Sequence, residues 1–459
     1  MKQVLISLTL LIGFFLSGCS VGPDFQKPQI DTLRTFRFDS LKTDTTVNVE
    51  WWNLFKDPKI RWLVNTALLN NKNLKIAAAR IEQAGAMLTY TGADRYPSLN
   101  YQATAGRGNY ASGTKLQSEA NIFTIMPTLN WEIDFWGKYR RATEAAQAEL
   151  LASEYGYRSV ELNLVSLVIS TYFLLLDFQN RLEITKATLD SRRKSYEIIK
   201  KRFEHGVVPE IDLNQAQIQM EIAAAGVPFL ERAVAKTENA LSVLLGQNPG
   251  EIEIGLNLTG QEIPPEIPVG IPSEILRRRP DVLQAENMLK AQNAKIGVAV
   301  AQMYPSFGLT GLFGAASGDL STLLSSDPAW LVAGSITGPI FNFNKNTARV
   351  EIEKARTKEA LLNYQQTVLN AFRDVEDALV EINTFKRELA AKQRQADAAR
   401  NAVELSRMRY DQGVTSYLEV LESERTLFNS ELELSGTLRN YLSAYVKLYK
   451  ALGGGWKEK

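Results

Sequence analysis

The chain repeats itself once, about 207 residues apart. Arg202-Phe203-x-x-Gly206 returns as Arg409-Tyr410-x-x-Gly413, and Leu245-Gly246 returns as Leu452-Gly453. Tyr96-Pro97-Ser98-Leu99 returns as Tyr304-Pro305-Ser306-Phe307 at a spacing of 208, so one residue of slippage separates the two blocks. Solenoid units repeat every 20–50 residues or so. A spacing of 207 in a chain of 459 is instead a duplicated half-protein. Whatever one half folds into, the chain must hold two non-identical copies of it.

Each copy carries a pair of alternating segments. Leu99, Tyr101, Ala103 and Ala105 alternate with Asn100, Gln102 and Thr104. From 123 to 133 the odd positions are Phe123, Ile125, Pro127, Leu129, Trp131 and Ile133, against a largely polar even set. The second copy repeats this more weakly, with Phe307, Leu309, Phe313 and Ala315, then Trp330, Val332, Ile336 and Ile340. Polar Gly/Ser-rich loops, 106–121 and 316–329, lie between the runs. Period-2 patterning marks half-buried strands, and about 9–11 residues suffice for a tilted strand to cross a membrane. Four strands of a soluble sheet would alternate in the same way. Aromatic residues bracketing the runs (Tyr96, Trp131, Trp136, Tyr304, Trp330) favour the membrane. Four strands cannot close a barrel, and lipid tolerates no open sheet edge. Several chains must then share one barrel.

The remainder reads as helix. Asp57-Pro58 opens a helix expected to reach Asp94, and Arg279-Pro280-Asp281 opens its counterpart. No proline occurs from Lys138 to Glu204 or from Lys345 to Asp411, so very long helices of coiled-coil type are expected there. Leu182, Leu189, Tyr196 and Phe203 recur at sevens, as do Val420, Leu427, Leu434, Tyr441 and Leu448. Pro228, inside the next helical stretch, predicts a kink. The segments are then an arm (19–57), a first repeat (58–248), a Pro-rich linker (249–272), a second repeat (273–453) and a tail (454–459).

At the N-terminus, Lys2 precedes an apolar run from Val4 to Leu16, too short to span a bilayer and suited to a secretory signal over 1–18. The run ends in Leu16-Ser17-Gly18-Cys19, a lipoprotein cleavage box that makes Cys19 a lipidation site, with no other cofactor expected. No later segment reads as a membrane-spanning helix. The net charge of +1 falls to zero without Lys2, which argues against a nucleic-acid partner. One Cys and one His make a metal site implausible and leave no catalytic constellation.

With these landmarks in place, the chain resembles the TolC-like outer membrane factors, most of all the lipoprotein branch that serves resistance-nodulation-division (RND) efflux pumps. The residues that carry the likeness are Leu16-Ser17-Gly18-Cys19 with Val21-Gly22-Pro23-Asp24-Phe25, Trp51-Trp52-x-x-Phe55-x-Asp57-Pro58, Arg278-Arg279-Pro280-Asp281-Val282, Tyr304-Pro305-Ser306 and Leu452-Gly453-Gly454-Gly455-Trp456. The resemblance implies a mainly α chain with a membrane β part that forms a homotrimer. Twelve strands, four per chain, would close one outer-membrane β-barrel, continued by a twelve-helix periplasmic α-barrel. It implies a non-enzymatic duct in outer-membrane lipid, partnered by a periplasmic membrane fusion (adaptor) protein and an inner-membrane RND-type pump.

The resemblance also places a gate at the tips of the helical hairpins. Gly206 and Gly413 would make the tip turns and meet the adaptor. Asp212 and Tyr410 match a hydrogen-bonded pair that holds the tip shut, and Glu419 and Glu422 match carboxylate rings that favour cations. An arginine of this lock in some members is Thr415 here. On the residues alone, Asp212 can also be read as a first-turn acid favoured by the helix dipole, and the two glutamates as a solvated face. A lipid-anchored coiled-coil scaffold would share the heptads and the leader. It would not need aromatic-flanked strand pairs.

Overall fold

The computed structural model describes residues 20–30, 51–108, 111–112, 115–116, 119–264, 272–325 and 327–454. Cys19, the leader and Trp456 lie outside the described residues. The chain divides into two compact units, one built from 1–30, 80–154 and 284–365, the other from 31–79, 155–283 and 366–459. The duplication is not the division, for each unit takes segments from both copies.

The first unit holds the strands β1 (Ser98–Gly108), β2 (Ala120–Ile133), β3 (Ser306–Ser317) and β4 (Ala329–Thr337). They form one antiparallel sheet in the order β1-β2-β3-β4, so the hairpins of the two copies join through β2 and β3. Strand β4 stops at Thr337, short of the expected Ile340. Where β2 carries Trp131 and Glu132, β4 meets Gly338 and Pro339, and proline has no N–H to give the ladder. Several of the alternating apolar residues stand bare: Tyr101 is 84% exposed and Trp330 74%. A sheet in water would bury such a face; one in lipid presents it.

In the same unit the arm after residue 19 is seated. Val21 N–H donates to the Trp136 carbonyl at 3.1 Å, and Arg141 Nη2 donates to Asp24 at 2.6 Å. Gly22 has φ +93°, and a Cβ there would lie 2.4 Å from the Gly297 Cα, so two glycines permit this crossing.

The helices are α1 (Pro58–Asn70), α2 (Lys72–Ala93), α3 (Lys138–Glu204), α4 (Glu210–Leu244), α5 (Pro272–Arg278), α6 (Pro280–Ala301), α7 (Lys345–Asp411) and α8 (Tyr417–Ala451). Both α3 and α7 are 67 residues long, and both α4 and α8 are 35. Helix α4 continues through Pro228.

The single helix expected over 58–94 is in fact two. Asn71 ends α1 with its N–H on the Ala67 carbonyl, then starts α2 by accepting from Leu74 N–H at 3.1 Å. Its Nδ2 donates to the Leu244 carbonyl at 2.8 Å, serving the C-terminal end of α4. The expectation about membrane helices also needs correction. Helix α3 contains a window long and apolar enough to cross a bilayer by length and composition alone, but half of that window is buried. Val168, Ile169, Tyr172 and Phe173 lie in the core of the second unit.

That core joins Ile60, Leu63, Leu241 and Leu442 to a stack of Trp51 on Tyr449, with ring centroids 4.8 Å apart. Asp57 is buried beside it yet satisfied, since it accepts from Lys59 N, Tyr172 Oη, Leu256 N and Gln261 Nε2 at 2.8–3.1 Å. In the second copy Arg279 stands where Asn71 stands in the first, 208 residues on, at the start of a helix and beside the carbonyl that ends a long one. It bonds Asp281 and Asp374 and donates to the Ala451 carbonyl at the end of α8. Burial pulls its guanidinium down, but the two carboxylates outweigh that and raise it.

Candidate functional site

Both hairpins turn at a glycine in the left-handed region, Gly206 at φ +66° and Gly413 at φ +74°. At each, the glycine N–H bonds the carbonyl three residues back and the next N–H bonds the carbonyl five back. This is the Schellman way of ending a helix, and it needs the left-handed residue. Nothing lies within 4 Å of a Cβ built on either glycine, so both turns face open space.

Behind the turns sits a small core of Ile199, Ala216, Tyr417, Val420 and Leu421, with Tyr196, Val208, Leu213 and Tyr410 packed on it. The rings of Tyr410 and Tyr417 lie 5.3 Å apart. Burial first, then the Glu424 carboxylate, pushes the Tyr417 hydroxyl well above the usual tyrosine range, with a smaller contribution from Asp212.

Asp212 lies in the first turn of α4 with its N–H on the Pro209 carbonyl. No hydrogen bond joins Asp212 to Tyr410. The Tyr410 hydroxyl is buried and unpartnered. A cation instead reaches Tyr410 from the other hairpin. Arg202 at the end of α3 sits over its ring at 5.1 Å and approaches Asp411 at 3.6 Å.

Higher up, Arg407 of α7 donates to Ser191 of α3 at 3.0 Å while holding Glu424 at 2.6 Å. Burial draws the neighbouring Arg192 guanidinium below its usual value, against the pull of Glu424. These arginines close the seam between the hairpins. Periodicity gave no sign of them; the repeated Arg-aromatic pair at 202–203 and 409–410 was the available clue.

The two glutamates stand three residues apart on α8, both well exposed, and each has an arginine. Glu419 pairs with Arg409 at 3.4 Å and accepts from the Thr415 hydroxyl. Glu422 pairs with Arg425 at 2.7 Å. Thr415 thus joins the cluster as a donor.

An open-edged sheet with bare apolar side chains and long helical hairpins that end in glycine turns define a channel subunit whose barrel needs further copies. The chain belongs to the outer membrane efflux protein family, whose profile matches residues 63–247 and again 271–454. It is 33% identical over 460 residues to the cation efflux system protein CusC of Escherichia coli O6:H1, covering 98% of this chain and 99% of that one. It is 32% identical to the probable outer membrane lipoprotein SilC of Salmonella typhimurium over the full length of both. Among solved structures, the CmeC outer membrane channel of Campylobacter jejuni matches at TM-score 0.88 and 30% identity, covering 96% of each chain. The protein is a trimeric outer-membrane channel component of a tripartite efflux system, working with an adaptor and an inner-membrane pump. Family members are channels rather than enzymes.

Proposed function

We propose that the helical tips are the periplasmic gate of this duct, with Asp212 and Tyr410 as its latch. One observation carries the reading: the Tyr410 hydroxyl is buried without a partner in the tip core. An orphaned buried hydroxyl costs about 1–3 kcal/mol, so an arrangement in which Asp212 accepts from it is favoured, and that arrangement draws α4 and α7 together. Arg202 supplies the charge that Thr415 does not. Glu419 and Glu422 face the constriction as rings whose charge Arg409 and Arg425 offset. The bare turns at Gly206 and Gly413 are the adaptor's seat.

Combining Asp212→Ala with Tyr410→Phe is expected to raise single-channel conductance in planar bilayers several-fold. Unchanged conductance would remove the latch. Relatives are described by cargo as different as cations and toluene, which fits a passive duct whose cargo is chosen elsewhere in the system. Cys19 carries the lipid anchor in this reading, supported by the seated arm that follows it. Labelled palmitate should enter the chain and fail to enter Cys19→Ser.

A further inference from the structure

Within each copy the strand pair has one register. Ser98 lies opposite Asn130, and Ser306 lies opposite Thr337. The first strands are 208 apart and the second strands 207, and these two offsets carry the Ser98–Asn130 pair onto Ser306–Thr337 without remainder. The offset of 207 continues past the second strand. Gly137 and Asn344 both have positive φ, at 77° and 65°, and α3 and α7 begin 207 apart. Facing agrees as well, for Leu129 maps onto Ile336 and Tyr101 onto Leu309, all apolar.

The β2–β3 junction, where copy one meets copy two, occurs once in the chain. There Leu129 lies opposite Gly311 and Thr128 opposite Leu312. Below it Trp136 stacks on Tyr304 at 4.5 Å, and its Nε1 donates to the Pro305 carbonyl at 2.8 Å. By the same offsets β4 stands in for β2, and β1 for β3. Those are the two strands left unpaired on one side.

We propose that β4 of one protomer pairs with β1 of the next in the register that sets Ile336 opposite Ala103 and Ser335 opposite Thr104. Phe343 then takes the place of Trp136 against the next protomer's Tyr96. The inference rests on the trimeric assembly and adds its register.

The residues it names are bare in the single chain, with Phe343 85% exposed and Tyr96 70%. A slip of one residue would turn Ile336, Val332 and Trp330 away from lipid into the lumen, so the competing registers are two residues away. The phenylalanine side chain has no N–H for the Pro97 carbonyl. The seam between protomers therefore lacks a bond that the junction within the chain has.

Cysteine pairs test the register in outer membranes, with Cys19, the chain's one native cysteine, as the shared background. The pairs are Ile336→Cys with Ala103→Cys, and Ser335→Cys with Thr104→Cys. Directly opposed residues sit about 4.5–5.5 Å apart, within disulfide reach. The control, Ile336→Cys with Tyr101→Cys, is a diagonal pair at about 7–8 Å. After oxidation and boiling without reductant, both in-register pairs should give covalent dimer and trimer bands, at least ten-fold stronger than the control. Equal or stronger cross-linking of the control overturns the register. So does a boiled monomer from both in-register pairs whose unheated samples still run as trimers. Where a pair prevents assembly, Thr337→Cys with Gln102→Cys decides in its place. Absence of an unheated trimer in the unmodified chain would instead sink the assembly, and the register with it.

Discussion

At position 417 the second hairpin carries a tyrosine that is 5% exposed; at the corresponding position 210 the first carries an exposed glutamate. The two tips have the same glycine turn, the same pair of capping bonds and helices of equal length. Their side chains then diverge: Phe203 against Tyr410, Asp212 against Glu419, Glu210 against Tyr417. The backbone repeat lets six hairpins of a trimer line one tube. The divergence places the ring that fastens the tip core, Tyr417, in the second hairpin, although both hairpins contribute to that core.

The largest expected effect breaks that fastening. Tyr417→Ala removes a ring from the centre of the tip core, and truncating a buried aromatic costs about 3–5 kcal/mol. Glu210→Ala, at the matching place in copy one, should stay within about 0.5 kcal/mol as an exposed change. Hydrogen exchange along α4 and α8 measures both. Equal protection losses in the two variants would show that the tips are not specialised.

A smaller and symmetrical effect belongs to the turns. Valine at Gly206 or Gly413 must adopt the left-handed region, at about 1–2 kcal/mol each. Because the geometry is shared, the two substitutions should lower the melting temperature alike. A loss confined to Gly413→Val would mean that this turn bears load beyond its own conformation.

Much of this was legible in the residues. The proline-free stretches showed that α3 and α7 would be long, and the glycines at 206 and 413 gave their ends and the turns. Alternation gave the strands. The break at Asn71 was hidden because asparagine is tolerable inside a helix. What turns it into a double cap is the Leu244 carbonyl, 173 residues away. Likewise the Asp212–Tyr410 pairing followed from the resemblance, while the cation over Tyr410 arrives across the hairpins from Arg202. Contacts between elements carry no period, so no period reveals them.

That contact predicts a weaker effect again. Arg202→Gln removes the cation from the Tyr410 ring, a contribution of about 0.5–1 kcal/mol at a partly exposed site. It should shorten closed dwell times at the tip about two- to five-fold. Arg409→Gln, its counterpart, acts inside its own hairpin through Glu419 and should leave dwell times nearly unchanged.

The smallest expected effect tests the charges on α8. Exposed ion pairs contribute about 0–1 kcal/mol, so neither Glu422→Gln nor Arg425→Gln should shift stability measurably. Their effects on permeation should have opposite signs. Removing the glutamate leaves three unpaired arginines around the trimer's constriction and lowers cation preference. Removing the arginine unmasks three carboxylates and raises it. Reversal potentials in asymmetric salt read this directly. Because the Debye length is about 10 Å at 0.1 M salt and 3 Å at 1 M, the two shifts should shrink together as salt rises. Shifts of the same sign, or shifts indifferent to salt, would place Glu422 and Arg425 outside the conducting path.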